Sequence, residues 1–315
     1  MTAFTASAPG KIILAGEHAV VYGQPALAVP LPAVQARAVV RALLSDQEGP
    51  LRVIAPGIDL DSPLRELPPD HHLRAVVDAV LEELGIRQPP SLEIRISSTI
   101  PISSGLGSGA AVSVAASRAL SAFLGKPLPD QKISEIAFEV EKIHHGTPSG
   151  IDNTVIAYQQ PVFYAQGHKL ETFTCPEAFT LVIGDTGHPS PTGRVVADVR
   201  QGWKDQPARY QAVFREIGDL VRTARSALEE GNLPQLGALL DENHRLLQQL
   251  EVSSPELDHL TQAAREAGAW GAKLSGGGRG GQMIALSPAG AAEEIAHQLE
   301  SAGAAGTLTA CIRCT

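Results

Sequence analysis

Residues 101–111 read Pro-Ile-Ser-Ser-Gly-Leu-Gly-Ser-Gly-Ala-Ala, and their flanks leave few ways for the chain to fold around them. Before them, Leu92-Glu93-Ile94-Arg95-Ile96 alternates apolar and polar residues, as a half-buried strand does. After them, Val112–Leu124 is an Ala-rich apolar run that should be helical. A strand, a glycine loop and a helix in that order form an anion site. The glycines let backbone approach a phosphate, the amides point at it, and the helix dipole adds positive potential. The same segment is also readable as a tight turn packed against a helix. It matches neither the Walker A ending Gly-Lys-Ser/Thr nor the dinucleotide fingerprint.

Strands and helices mix along the whole chain. Leu73, Val76, Val77, Val80, Leu81 and Leu84 predict an amphipathic helix stopped by Gly85. Asp130 is placed to cap a helix carrying Ile133, Ile136, Ala137, Val140 and Ile143. The second half is richer in helix. One stripe runs from Val213 to Leu228, a second joins Leu236, Leu240, Leu247 and Leu250, and Ser254-Pro255 opens a third helix. Met283–Leu286 reads as a strand, Ser287-Pro288 opens a helix that Gly303 closes, and Thr307–Ile312 alternates again. Gly49 to Pro69 reads as a Pro-rich loop. The expectation is an α+β chain of two domains, 1–170 and 171–315, with the boundary near Gln159-Gln160-Pro161.

A formal net charge of −9 argues against broad binding to nucleic acid or an anionic membrane. A polyanion such as ATP would need a local device of amides, a helix terminus, a metal or a placed cation. No stretch approaches the roughly 20 apolar residues that span a bilayer, and the first residues lack the pattern of a signal peptide. Cys175, Cys311 and Cys314 form no disulfide framework. The C-x-x-C at Cys311 and Cys314 is open to a zinc site, a redox pair or two reduced thiols, and reduced thiols fit a cytoplasmic protein.

Three further segments carry candidate chemistry. Ala8-Pro9-Gly10-Lys11 places a lysine between a turn signal and an apolar run, and Gly16-Glu17-His18 follows. Taken alone, Glu17 and His18 read as solvated loop residues. Gly271-Ala272-Lys273-Leu274-Ser275-Gly276-Gly277-Gly278-Arg279-Gly280-Gly281-Gln282 holds six glycines in twelve residues, which implies close backbone approach to something other than ordinary packing. Glu141-Lys142-Ile143-His144-His145-Gly146-Thr147-Pro148-Ser149-Gly150-Ile151-Asp152-Asn153 supplies carboxylates. A phosphoryl transferase needs one for Mg²⁺ and one to accept or orient the hydroxyl proton. Glu141 alone reads as a solvated helix residue. Asn243 falls on an apolar stripe, where it either satisfies a backbone group or faces a cleft.

Together, in order and at compatible spacing from about residue 6 to 286, these segments resemble the superfamily of galactose, homoserine, mevalonate and phosphomevalonate kinases. Gly16–Gly23, His145–Asn153 and Asn243–Leu257 are similar to its mevalonate-phosphorylating branch. The resemblance implies a two-domain fold with the active site in the cleft between domains. It implies transfer of phosphate from ATP, with Mg²⁺, to the C5 hydroxyl of mevalonate, a step toward isoprenoid precursors. It casts Asp152 as the catalytic aspartate and Lys11 as the lysine contacting both that aspartate and the reacting hydroxyl. Glu141 becomes the metal ligand, with Ser108 beside it. Ser103, Ser104, Gly105, Leu106, Gly107, Ser108 and Gly109, with Gly276, Gly277 and Gly278, surround the ATP phosphates. Glu17, His18 and Ser149 join Lys11 and Asp152 near the alcohol. A homodimer is among the assemblies open to it.

The chain departs from the family pattern at three points. Gly109 replaces a serine that helps hold Mg²⁺, Arg279 stands where glycine is common, and Gln159-Gln160 replace Gly-Gly. The alternatives within the superfamily are phosphomevalonate, homoserine or a sugar as substrate. The alternative outside it is a ligand-sensing protein without catalysis.

Overall fold

The computed structural model describes residues 3–43, 51–101, 105–145, 148–165 and 171–313, apart from the side chains of 144 and 145. The chain forms two compact units. One comprises Met1–Gly10, Val34–Ile102 and Gly107–Gln159; the other comprises Lys11–Ala33, Ser103–Leu106 and Gln160–Thr315. Neither unit is contiguous in sequence, because the first two strands, β1 (Ala3–Ala15) and β2 (Ala26–Ala42), each run through both. Burial along β2 records the change. Ala26 to Leu31 are all buried, whereas from Val34 to Val40 buried residues alternate, as on a sheet with one covered face.

In the first unit, β3 (Leu51–Ala55) and β4 (Leu60–Pro63) form an antiparallel hairpin within the stretch expected to be a loop, turning through Asp59 at φ 51°. Helix α1 (His72–Glu83) follows, then β5 (Leu92–Ser98), which runs parallel to β3 and antiparallel to the second half of β2. The strand order is β4-β3-β5-β2, and β1 also pairs with β2. Helices α2 (Ser108–Phe123), α3 (Asp130–His145) and α4 (Ile151–Tyr158) complete the unit. α2 packs against α1, α3, α4 and β5. It can do so because most of its buried positions are small, among them Ala110, Ala111, Ser113, Ala115, Ala116, Ser117 and Ala119. Asp130 is the first residue of α3, and its carboxylate accepts from Arg118 Nη2 at 2.7 Å.

In the second unit, β6 (Val162–Tyr164) joins the first half of β2 to β7 (Glu171–Thr172). A separate antiparallel sheet contains β8 (Phe179–Asp185), β9 (Gly271–Ser275), β10 (Gln282–Ser287) and β11 (Gly306–Ile312), in the order β11-β8-β10-β9. Five helices belong to this unit: α5 (Thr192–Asp205), α6 (Pro207–Glu229), α7 (Leu233–Gln249), α8 (Pro255–Glu266) and α9 (Ala292–Ser301). α7 and α8 lie on β9, and α9 lies on β8 and β11. The approach of α7 requires glycine on both sides: a Cβ on Gly271 would sit 1.9 Å from the Gly237 carbonyl oxygen. Ser254 caps α8 as expected, accepting from the Leu257 amide at 3.3 Å. α9 starts at Ala292 rather than at Pro288, because Pro288 begins a turn closed by the Ala291 amide at 3.2 Å.

Cys311 is an exposed free thiol and Cys314 lies outside the described residues. Cys175 is disulfide-bonded, a pairing that three cysteines without a framework do not reveal. Among the described residues, no helix is long and apolar enough to cross a membrane.

Candidate active site

Pro9-Gly10 does not turn. β1 runs straight through it and carries Lys11 inward, to 6% exposure. The Lys11 amide donates to the Leu106 carbonyl at 3.0 Å, tying β1 to the glycine loop that precedes α2. Ser103 and Ser104 lie outside the described residues. Gly105 and Gly107 hold left-handed conformations, φ 76° and 78°, so the loop needs glycine at both. Gly107 sits at the N-cap of α2 and has no side chain to cap it, which leaves the first-turn amides for an anion. Ser108 opens that turn. At Gly109, a Cβ would meet His72 Cε1 at 3.4 Å, an ordinary contact.

The Gly16–Gly23 corner departs from its solvated reading. Gly16, at φ 102°, admits no side chain, since a Cβ would lie 2.5 Å from Ala26 Cα. Glu17 is 2% exposed and His18 7%. The Glu17 Oε1 accepts from Lys273 Nζ of β9, which also donates to the Leu274 carbonyl at 2.5 Å. Burial pushes the Lys273 pKa down, opposed by the adjacent Glu17. His18 Nε2 lies 3.0 Å from the Gly277 carbonyl. A carbonyl only accepts, so Nε2 carries the proton and Nδ1 keeps a lone pair. Burial first, then the positive charges of Lys273 and Arg279, lower the His18 pKa to about 4 against the Gly277 bond, so the ring is neutral at pH 7. Tyr22 anchors the end of the corner, stacking on Phe214 of α6 with ring centroids 4.2 Å apart.

The third glycine loop follows β9, and the protein's own backbone explains much of its glycine content. A Cβ on Gly278 would lie 2.0 Å from the Val252 carbonyl oxygen, and one on Gly277 would lie 2.5 Å from Thr192 Oγ1. Gly276, at φ 90°, faces open space. Arg279, whose charge the sequence left open for a phosphate, donates Nε to the Glu251 carbonyl at 3.0 Å and pairs with Asp198 of α5.

Glu141, on α3, is 8% exposed rather than solvated. Gly150, at φ 85°, starts α4, and half-buried Asp152 is the second residue of that helix. The turn is pinned on both sides. Ser149 Oγ accepts from the Ile151 amide at 3.3 Å, Thr154 Oγ1 donates to the Gly150 carbonyl at 2.7 Å, and Asn153 Nδ2 donates to Ser134 Oγ at 2.8 Å. Gln159 ends α4 at φ 52°, a left-handed cap that accounts for the family's preference for glycine there.

Glu141, Ser149, Asp152, Ser108 and Gly109 belong to the first unit. Lys11, Glu17, His18, Leu106 and Gly276–Gly278 belong to the second. Lys273 was missed as a site residue. Its signal was a lone cation inside Gly-Ala-Lys-Leu, but its partner is 256 residues away. Asn243 is fully buried on α7, and neither Oδ1 nor Nδ2 meets a partner among the described residues, so the expected bond to a backbone group is not made. No group of three or more His, Cys, Asp or Glu that could hold a metal occurs among the described residues. Glu141 and Ser108 are hard oxygen donors, and such a sparse set fits a cation that keeps water and phosphate in its shell.

Residues 71–160 match the family described as GHMP kinases N terminal domain, and residues 224–305 match GHMP kinases C terminal. The mevalonate kinase of Pyrococcus horikoshii is 37% identical, over 96% of this chain and 94% of that protein. That of Saccharolobus solfataricus is 30% identical over 89% of each. Among solved structures, L. major mevalonate kinase in complex with R-mevalonate superposes with a TM-score of 0.84 at 30% identity, covering 99% of this chain and 96% of that one. The chain belongs to the GHMP kinases, in their mevalonate kinase family.

Proposed function

We propose that this chain transfers the γ-phosphoryl group of ATP to the C5 hydroxyl of mevalonate, giving 5-phosphomevalonate and ADP. One observation carries the reading: at 37% identity, likeness to a mevalonate kinase extends over 96% of the chain.

In this reading Asp152, held by the pinned first turn of α4, orients the hydroxyl and accepts its proton as the phosphoryl group arrives. Lys11 stabilises negative charge developing on the transferred group. The amides of the α2 first turn and the loop at Gly276–Gly278 bind the phosphates. His18, neutral and with a lone pair on Nδ1, accepts a hydrogen bond from the alcohol, and Glu17 and Ser149 shape the same side. Glu141 and Ser108 would hold Mg²⁺ together with ATP, and the bound ion would supply charge neutralisation for the phosphoryl transfer. The test is a panel of alcohols (mevalonate, phosphomevalonate, homoserine and galactose) assayed with ATP by ADP release. Preference for mevalonate supports the reading, and preference for another alcohol replaces it.

A further inference from the structure

Chain segments 13–18 and 273–277 are joined at three points inside one unit. Ser275 Oγ donates to the Ile13 carbonyl at 3.1 Å, Lys273 Nζ pairs with Glu17, and His18 Nε2 donates to the Gly277 carbonyl at 3.0 Å. The residues used on the second segment are alternate ones, 273, 275 and 277. The middle contact is unusual. Lys273 and Glu17 have side-chain exposures of 0% and 1%, and Glu17 Oε2 is buried without a partner among the described residues. A buried ion pair of this kind is a poor device for stability, because apolar residues of similar volume often serve as well or better. It does hold one geometry against its alternatives. The geometry held here is a strained one: His18 is a non-glycine residue at φ 60°, a conformation that persists only where its surroundings impose it.

We propose that Lys273 is a positioning residue. By holding Glu17 in the interior it fixes His18 against the third glycine loop, and so couples alcohol binding to nucleotide binding through the Gly277 carbonyl. The proposal rests on the assignment of His18 to the alcohol and of Gly276–Gly278 to ATP. Movement of the His18 ring on meeting the alcohol is transmitted to Gly277 by their shared hydrogen bond, and movement of the loop on meeting the nucleotide is returned to His18. Lys273 touches neither ligand. It acts by keeping the Glu17 carboxylate, and with it the corner at His18, from turning out to water.

The test uses the full-length protein. In wild type, affinity for a non-hydrolysable ATP analogue is measured by calorimetry with and without mevalonate, and about a 5-fold or larger change is expected, equal in both directions. Lys273→Met alone strands a buried carboxylate and is prone to unfold, so the decisive variant is Lys273→Met/Glu17→Gln, which neutralises both partners. It should fold, raise the KM for mevalonate about 10-fold with a smaller change in kcat, and bring the coupling factor close to 1. Substrate-free ¹⁵N NMR of the imidazoles should show His18 as a single Nε2–H tautomer in wild type and as a tautomer mixture in the double variant. A purely structural pair would lower the melting temperature and leave tautomer and coupling alone; these two readouts decide, because Glu17 also borders the alcohol and its loss alone can raise KM. A wild-type coupling factor of 1, or a double variant with wild-type coupling and tautomer, overturns the proposal. Should the wild type phosphorylate a different alcohol, the substrate assignment fails while the NMR comparison still decides the role of Lys273.

Discussion

His244 on α7 accepts the Leu274 amide of β9 on Nδ1, at 3.2 Å, and presents Nε2 to Asp258 Oδ1 of α8 at 3.0 Å. One ring thus fastens two helices to the strand that leads into the third glycine loop, and it does so only while neutral, because a protonated Nδ1 cannot accept. Burial lowers the His244 pKa, with Asp258 opposing. His18 is lowered as well, to about 4. Both rings therefore bind protons more readily in the unfolded chain. Their contribution is complete above the unfolded value of about 6.5 and is lost as pH falls below it, down to about 4 for His18. Thermal unfolding between pH 7 and 5 should show stability falling with pH, each ring adding a slope approaching 1.4 kcal/mol per pH unit, an order-of-magnitude figure. His244→Gln should reduce that slope; an unchanged slope would show that the ring is not held neutral.

Gly109 is the position where the family serine is missing. A side chain fits there, since the nearest atom to an added Cβ is His72 Cε1 at 3.4 Å and φ is not left-handed. Gly109→Ser should keep kcat and lower the Mg²⁺ concentration required for half-maximal activity. A severe loss of activity in folded protein would show that the metal is held elsewhere.

The glycines of the third loop separate into two kinds. Gly278→Val places side-chain atoms on the Val252 carbonyl, so it should lower the melting temperature or prevent folding. The informative substitution is Gly276→Ala, where the space is open and the only burden is φ 90°, on the order of 1–3 kcal/mol. It should raise the KM for ATP several-fold and leave the KM for mevalonate nearly unchanged. Unaltered ATP kinetics in Gly276→Ala would remove this loop from the phosphate site.

The sequence made the long periodic helices legible, and it made the strand–glycine loop–helix at 92–123 legible, because apolar spacing and glycine punctuation are local. It did not reveal β3 and β4, two short strands among prolines, where β4 pairs only with β3 and β3 finds its other partner, β5, about 40 residues away. Lys11, Asp152 and Glu141 were legible as motif residues, but the burial of Lys11 and Glu141 was not, since it depends on strands and helices that meet only in the fold. The corner at Glu17 and His18 was misjudged for the same reason: its partners, Lys273 and Gly277, lie at the far end of the chain. The glycine-rich loop was legible as a place of close approach, yet much of what approaches it is the protein's own backbone.

At the centre of the proposed function is phosphoryl transfer to mevalonate directed by Asp152. The most direct measurement is kcat at saturating mevalonate and ATP for wild type and for Asp152→Asn, both purified and checked for folding. The wild type should release ADP in step with mevalonate phosphorylation. Asp152→Asn should keep its affinity for ATP and lose at least about 10²-fold in kcat, the loss typical of a missing general base. Lys11→Met should also lower kcat, and the double variant should lose less than the product of the two losses, because residues acting as a unit are not additive. Near-wild-type turnover of mevalonate by folded Asp152→Asn would contradict the account.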